Sequence, residues 1–279
     1  MTVPRESRGF TLIEMVVTLV LAGIVAGITA SFISGPMLGY TQTTRRAELV
    51  DAAEQALRRM ARDIRRALPN SVRVDPTGRV LEMLNTVDAG RYRDDPPPGN
   101  PAALLTFTSP DDEFDTIGAL QNFAEVDTSN DQVVIYNLSA TGAANNAYVG
   151  DNRQQLAPGA TTATHIQLAA PLQFPLASPR QRFYIVDTPV TYLCDLGAGT
   201  LSRFWGYAIT HPHAAVDSAV ELSGVGAASA LMTRHVANCT FSYQPGTSQR
   251  AGLVTLRLEL SDQGERVTLL HQVHVYNTP

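Results

Sequence analysis

The apolar and polar positions of this chain change pattern three times. A polar leader carrying Arg5 and Arg8 gives way at Phe10 to an apolar run, and from Met15 to Ile33 no residue is charged. Glu14 is the one charge inside that run, one turn after it begins. Roughly 20 apolar residues cross a bilayer as a helix, so the run predicts a membrane span over about 10–33. Gly35-Pro36 follows directly, and a proline there removes a backbone donor and predicts a kink or local melting. Helical periodicity then returns. Leu49, Ala53, Leu57, Met60, Ile64 and Leu68 recur at spacings of three and four, which marks one apolar face, and Leu68-Pro69-Asn70 stops the helix. Glu54 and Arg58 form an i,i+4 pair in the favourable order. Arg58, Arg59, Arg62, Arg65 and Arg66 crowd the last turns, where cations suit the negative end of the helix dipole, and they read as a solvated helix end.

From Asn70 onward the pattern becomes short extended runs broken by turn residues. Strands are predicted at Ser71–Val74, Val80–Leu84, Leu104–Thr108, Gln132–Leu138, His165–Leu168, Phe183–Asp187, Thr191–Cys194 and Leu201–Ile209. The clearest hairpin comes last: Leu253–Leu260 alternates, Asp262-Gln263-Gly264-Glu265 turns, and Arg266–Tyr276 returns. Asp94 to Pro101 must be an exposed loop, because no ladder tolerates its run of prolines. Thr141–Ala163, rich in Ala, Asn and Gly, reads as a surface loop. The fold class predicted is therefore α+β: a long N-terminal helix, its first half transmembrane, followed by a globular domain of mainly antiparallel β-sheet. The division is a leader at 1–9, the helix at 10–68 and a β-rich head at 69–279.

Three ordinary origins for the N-terminal run fit poorly. A secretory signal has a 7–15-residue apolar core with a small-residue cleavage site after it, and this run is longer with no such site beyond it. A plain signal anchor does not explain Glu14, since a charge in a membrane helix costs roughly 2.5–3.5 kcal/mol on insertion scales. A buried core helix does not explain the junction Arg8-Gly9-Phe10-Thr11-Leu12-Ile13-Glu14. That junction resembles the class III signal of type IV prepilins and type II secretion pseudopilins. The resemblance implies that a prepilin peptidase cuts between Gly9 and Phe10 and that the new Phe10 amine is N-methylated. It also implies that Glu14 stays in the membrane for assembly. In a filament the Phe10 amine of one subunit can meet Glu14 of its neighbour, a pair that sets register more than it adds stability, because desolvation offsets the attraction. Gly23 and Gly27 form a small-xxx-small pattern that would let helices approach closely, although glycine is common in membrane helices.

A longer resemblance covers the helix from Arg45 to Arg73, Thr191-Tyr192-Leu193-Cys194-Asp195, Phe204-Trp205-Gly206-Tyr207, Asn238 to Tyr243 and the closing Val273 to Pro279. These segments are similar to the O-type minor pilins of the MSHA pilus system. The J-type pseudopilins of type II secretion share the signal and the Arg-rich helix. Both resemblances imply a low-abundance structural subunit, with other major and minor pilin-like subunits, the prepilin peptidase and inner-membrane lipid as partners. They place the chain in a bacterial inner membrane as a single-pass protein with a periplasmic head, or in surface filaments. An adhesin or binding module carried by a filament is the other reading.

Composition narrows the chemistry. The net charge of −5 argues against nucleic acid as a partner. All 21 basic residues are arginine, so a Walker A lysine and a Schiff-base lysine are excluded together. Cys194 and Cys239 are the only cysteines, and in an exported domain an isolated pair favours a disulfide worth roughly 4 kcal/mol, two buried thiols being the alternative. His211-Pro212-His213 lacks a third ligand nearby, and His271 and His274 face opposite sides of a predicted strand. Gly224-Val225-Gly226 is a broken dinucleotide fingerprint. Asp111, Asp112 and Asp115, with Asp127, Asn130 and Asp131, make two acidic loops that lack the order of a calcium loop and read as solvated. No catalytic residue, cofactor or metal is expected, and the chain does not read as an enzyme.

Overall fold

The computed structural model describes residues 9–95, 99–100, 104–246, 250–275 and 277, with the backbone alone at 33–36 and 38. Residues 1–8, 96–98, 101–103, 247–249, 276, 278 and 279 lie outside it. The chain divides into two units, Met1–Glu48 and Leu49–Pro279. Helix α1 (Leu12–Arg65) begins in the first and ends in the second.

Among the described residues the first unit has no buried side chain. Phe10, Leu12, Ile13, Leu19, Ile24 and Phe32 are all exposed, and Leu12–Phe32 is long and apolar enough to cross a membrane. Several of its hydroxyls are satisfied within the helix. The Thr18 hydroxyl donates to the Met15 carbonyl at 2.9 Å, Thr29 to Val25 at 2.8 Å and Ser31 to Ile28 at 2.8 Å. Internal pairing of this kind is what hydrocarbon demands, since lipid offers no partner. The helical backbone continues through Gly35-Pro36, so the local melting expected there does not occur. Proline forfeits one hydrogen bond to the preceding turn, and the turns on either side hold the backbone helical.

In the second unit the predicted face of α1 is the buried one. Leu49, Ala53, Leu57, Met60 and Ile64 join one core with Tyr192, Phe241, Val254, Leu256 and Leu258. The helix ends at Arg65, short of Leu68, because β-structure captures the next residues. Ala67 bridges to Asn85, and the Leu68 N–H donates to the Leu84 carbonyl at 2.8 Å. Asp63 ties the helix to the sheet, accepting from the Tyr192 hydroxyl at 2.8 Å and from Arg203 Nε at 2.7 Å.

Strands β1 (Arg73–Val74) and β2 (Val80–Arg91) open the head, followed by β3 (Asp111–Asp115), β4 (Gln132–Ile135), β5 (Arg153–Gln155) and β6 (His165–Leu172). Next come β7 (Arg182–Asp195), β8 (Thr200–Trp205), a short helix α2 (Ala219–Gly224), β9 (Ala228–Arg234), β10 (Val236–Gln244), β11 (Gly252–Asp262) and β12 (Glu265–Val275). All their pairings are antiparallel. The largest sheet runs β1-β2-β7-β4-β5, with β8 also on β7 and β9 on β8. One edge of β7 follows β2; the other serves β4 over Phe183–Val186 and β8 over Val190–Asp195. Pro189 falls at the changeover, where its missing donor interrupts neither ladder. β10-β11-β12 form a second sheet, closed by a Gln263-Gly264 turn with φ of 44° and 91°, the left-handed pair of a type I′ hairpin.

Several expectations need correction. Asp111–Asp115 is strand β3 rather than a loop, paired with β6 and anchored by the fully buried Phe114. Leu104–Thr108 is not a strand; only Leu104 makes a bridge, to Arg93. The Thr141–Ala163 stretch holds β5 and buries Ala147, Tyr148 and Asn152, so it is partly core.

Cys194 on β7 and Cys239 on β10 are joined by a disulfide with Cα atoms 6.5 Å apart. Both are buried in the core, so the bridge links the two main sheets. A buried polar cluster holds the start of the head. Glu82 is fully buried; Arg73 donates to its Oε1 at 3.0 and 2.6 Å, and the Tyr207 hydroxyl donates to its Oε2 at 3.0 Å. The Arg73 guanidinium also lies 3.7 Å from the centre of the Tyr148 ring. Such a pair contributes little net stability, yet removing either charge alone would cost about 3–5 kcal/mol by stranding the other.

Candidate processing and assembly site

Gly9, Phe10 and Thr11, the three residues before α1, make up the candidate site with the helix's first turn. Gly9 and Phe10 precede the helix, Phe10 is 79% exposed, and a side chain added at Gly9 would meet nothing within 4 Å among the described residues. Thr11 caps the helix. The Glu14 N–H donates to the Thr11 hydroxyl oxygen, and the Thr11 hydroxyl donates to Glu14 Oε2, both at 3.4 Å. This is half of a capping box: the orphan Glu14 N–H is satisfied by the Thr11 hydroxyl, while the Glu14 carboxylate reaches that hydroxyl and not the Thr11 N–H. It also sets the Glu14 carboxylate at the positive end of the helix dipole, worth roughly 0.3–1 kcal/mol at an exposed terminus.

Thr11 was not among the residues singled out from the sequence, although Thr11-x-x-Glu14 is the pattern that signals a cap. Its cap gives Glu14 a role within its own subunit beside any role between subunits. Gly23 and Gly27 have open space around them, so nothing within the chain calls for glycine at either position.

The other candidate residues separate. His213 sits in a 3-10 turn, and burial holds its imidazole below the usual value, with Glu82 pulling upward and Arg73 adding to the fall. The His211 carbonyl accepts from Arg73 at 3.2 Å. His271 and His274 lie on β12, with His271 half-buried and His274 exposed. Gly224 ends α2, and Gly226 adopts φ of 79° on the way to β9, so the glycine pattern closes a helix instead of opening one. Phe204 and Tyr207 are buried, while Trp205 stacks under Arg203 at 4.8 Å. Among the described residues no group of three or more His, Cys, Asp or Glu side chains is placed to hold a metal ion.

The Asp127–Asp131 turn spends its carboxylates on itself. Asp127 accepts from Ser129 N–H at 2.9 Å and from Asn130 Nδ2 at 2.7 Å, while Asp131 accepts from Asp127 N–H at 2.9 Å. Burial pushes Asp131 up to about 6, against the pull of the Asp127 N–H and with the Asp187 and Asp127 carboxylates adding to the rise. A carboxyl whose folded value lies above its unfolded value binds its proton better when folded, so it detracts from stability at neutral pH. That loss is recovered as pH falls through about 6 and is gone below the ordinary 3.8. Asp131→Asn keeps an acceptor for Asp127 without the charge. It is expected to stabilise the fold at pH 8 by about 1–2 kcal/mol, after allowance for solvent screening, with the gain fading to nothing near pH 4. Urea unfolding of both proteins at the two pH values checks this, and a gain that is independent of pH would contradict it.

No curated protein and no solved structure matches the chain. Residues 4–30 match the prokaryotic N-terminal methylation motif, a stretch that takes in the Gly9–Phe10 junction, Glu14 and most of the apolar span. The N-terminal segment is therefore pilin-like: a methylation motif running into an exposed apolar helix.

Proposed function

We propose that the chain is a minor pilin-like structural subunit, cut by a prepilin peptidase between Gly9 and Phe10 and built into, or priming, a type IV filament. One observation carries the reading. The methylation motif leads into Leu12–Phe32, an apolar helix that nothing in its own unit covers. A helix apolar all round must be covered by lipid or by other helices. In the precursor the cover is the inner membrane; in a filament it is the apolar helices of neighbouring subunits. The head, with its disulfide, suits the oxidising periplasm. Resemblance to the O-type minor pilins favours an MSHA-like pilus over a type II secretion pseudopilus.

Shearing tests the assignment. Cells expressing the chain with its companion subunits are sheared, and the filament and membrane fractions are probed for the head. The subunit is expected in the filament fraction, at lower abundance than the major subunit. Confinement to the membrane fraction under conditions where filaments form would contradict it.

A further inference from the structure

A sheet edge carries backbone donors and acceptors that need partners, and the edges of this head are not alike. β1 spans two residues and β5 three, and β9 meets β8 through a register shift. Short or irregular edges of this kind resist pairing with another chain. β12 is different. It runs for 11 residues without a proline, and it pairs with β11 unbroken from Asp262↔Glu265 to Gly252↔Val275. Among the described residues no strand pairs its other edge, and no loop backbone bonds to it.

The register identifies the free groups. The Gln263-Gly264 turn makes Asp262 and Glu265 a hydrogen-bonded pair. Pairs alternate from there, so odd-numbered residues of β12 bond to β11 and even-numbered ones aim their N–H and C=O groups outward. Arg266, Thr268, Leu270, Gln272 and His274 form that outward row, and their side chains all lie on the exposed face. Leu270, at the middle of the strand, is 63% exposed. Beside the edge, α1 and β12 enclose a groove of about 280 Å³, with Val50, Leu57 and Leu269 in its walls. Glu54 and Arg58 also line it, and they pair with each other at 2.5 Å, so neither charge is left over. His271 Nε2, in the same wall, is buried with no hydrogen-bond partner among the described residues.

We infer that the free edge of β12 accepts an extended strand from another polypeptide. That strand turns aliphatic side chains and a hydroxyl toward α1, and polar side chains outward. An extended backbone is what matches a row of alternating donors and acceptors, and strand addition to an open edge is a recurrent mode of peptide recognition. Side chains from the inner face of the added strand fill the groove, where a hydroxyl gives His271 its missing partner. A helix satisfies its own backbone and would leave the row unpaired. The inference does not rest on filament assembly, since edge and groove both lie within the head.

The test uses the full chain in detergent and a short labelled peptide of alternating valine and threonine, followed by fluorescence anisotropy. The control is the same peptide with every amide N-methylated, which keeps the side chains and removes the donors. Binding is expected for the first peptide and not for the second. Hydrogen exchange should then slow at the amides of Arg266, Thr268, Leu270, Gln272 and His274, which the free protein leaves open. Binding should weaken by about tenfold or more in Leu270→Pro, which loses a donor that faces away from β11 and sets its ring where the strand would lie. Leu270→Lys, at an exposed position, puts a charge on the edge and serves as the second variant should proline disturb the hairpin; a smaller loss is expected from it. Equal binding of the two peptides, unchanged exchange at the five amides, or equal binding by wild type and Leu270→Lys would each overturn the inference. Pairing of the chain with itself through β12, in place of the peptide, would overturn the choice of partner.

Discussion

Gly9→Val is expected to leave the leader on the chain. The prepilin resemblance puts the scissile bond between Gly9 and Phe10, where a peptidase that accepts glycine has no room for a branched side chain. Among the described residues, a side chain at Gly9 would meet no atom within 4 Å, so packing there offers no competing explanation. The substitution therefore leaves folding alone and acts on recognition. The precursor should accumulate in the membrane with its head folded, read as a mass that retains residues 1–9 and an unchanged unfolding midpoint. Normal trimming of the mutant would contradict the assignment of the junction.

The second large effect concerns assembly. Glu14→Ala removes a charge that is costly in hydrocarbon, so membrane insertion should be as good or better. If the Phe10 amine of a neighbour relies on Glu14, that amine is left buried without a counter-charge, a loss of about 3–5 kcal/mol. The fraction of subunit in sheared filaments, relative to membrane, should then fall severely. The cap made by Thr11 and Glu14 introduces a rival cause, since Glu14→Ala keeps the N–H bonded to the Thr11 hydroxyl but removes that hydroxyl's own acceptor. Glu14→Gln separates them. It keeps an acceptor for the Thr11 hydroxyl and removes only the charge. Assembly lost in both variants assigns the role to charge; assembly lost in alanine and kept in glutamine assigns it to the cap. Assembly kept in both would show that Glu14 does not order the filament.

What the sequence revealed followed from how many residues share each signal. The face of α1 from Leu49 to Ile64 repeats over several turns, so its burial could be read directly. The β11–β12 hairpin announced itself through alternation and Gly264. β7 read as two strands because Pro189 sits inside it, and only its change of partner explains how a proline is tolerated there. β3 was hidden because its sequence is acidic and a single residue, Phe114, carries its burial. β10 was missed because its alternation slips at the bulge between Val236 and Asn238. At the N-terminus the junction and Glu14 were legible as a motif, whereas Thr11 as a cap was overlooked beside the stronger signal.

The central claim is that this N-terminus is a processed filament signal rather than a permanent anchor. Mass spectrometry of the chain isolated from bacterial membranes that contain a prepilin peptidase tests it most directly. The account predicts an N-terminal peptide that begins at Phe10 and carries one added methyl group on its amine. A chain recovered with Gly9 and the leader still attached, or cut anywhere beyond Phe10, would contradict it.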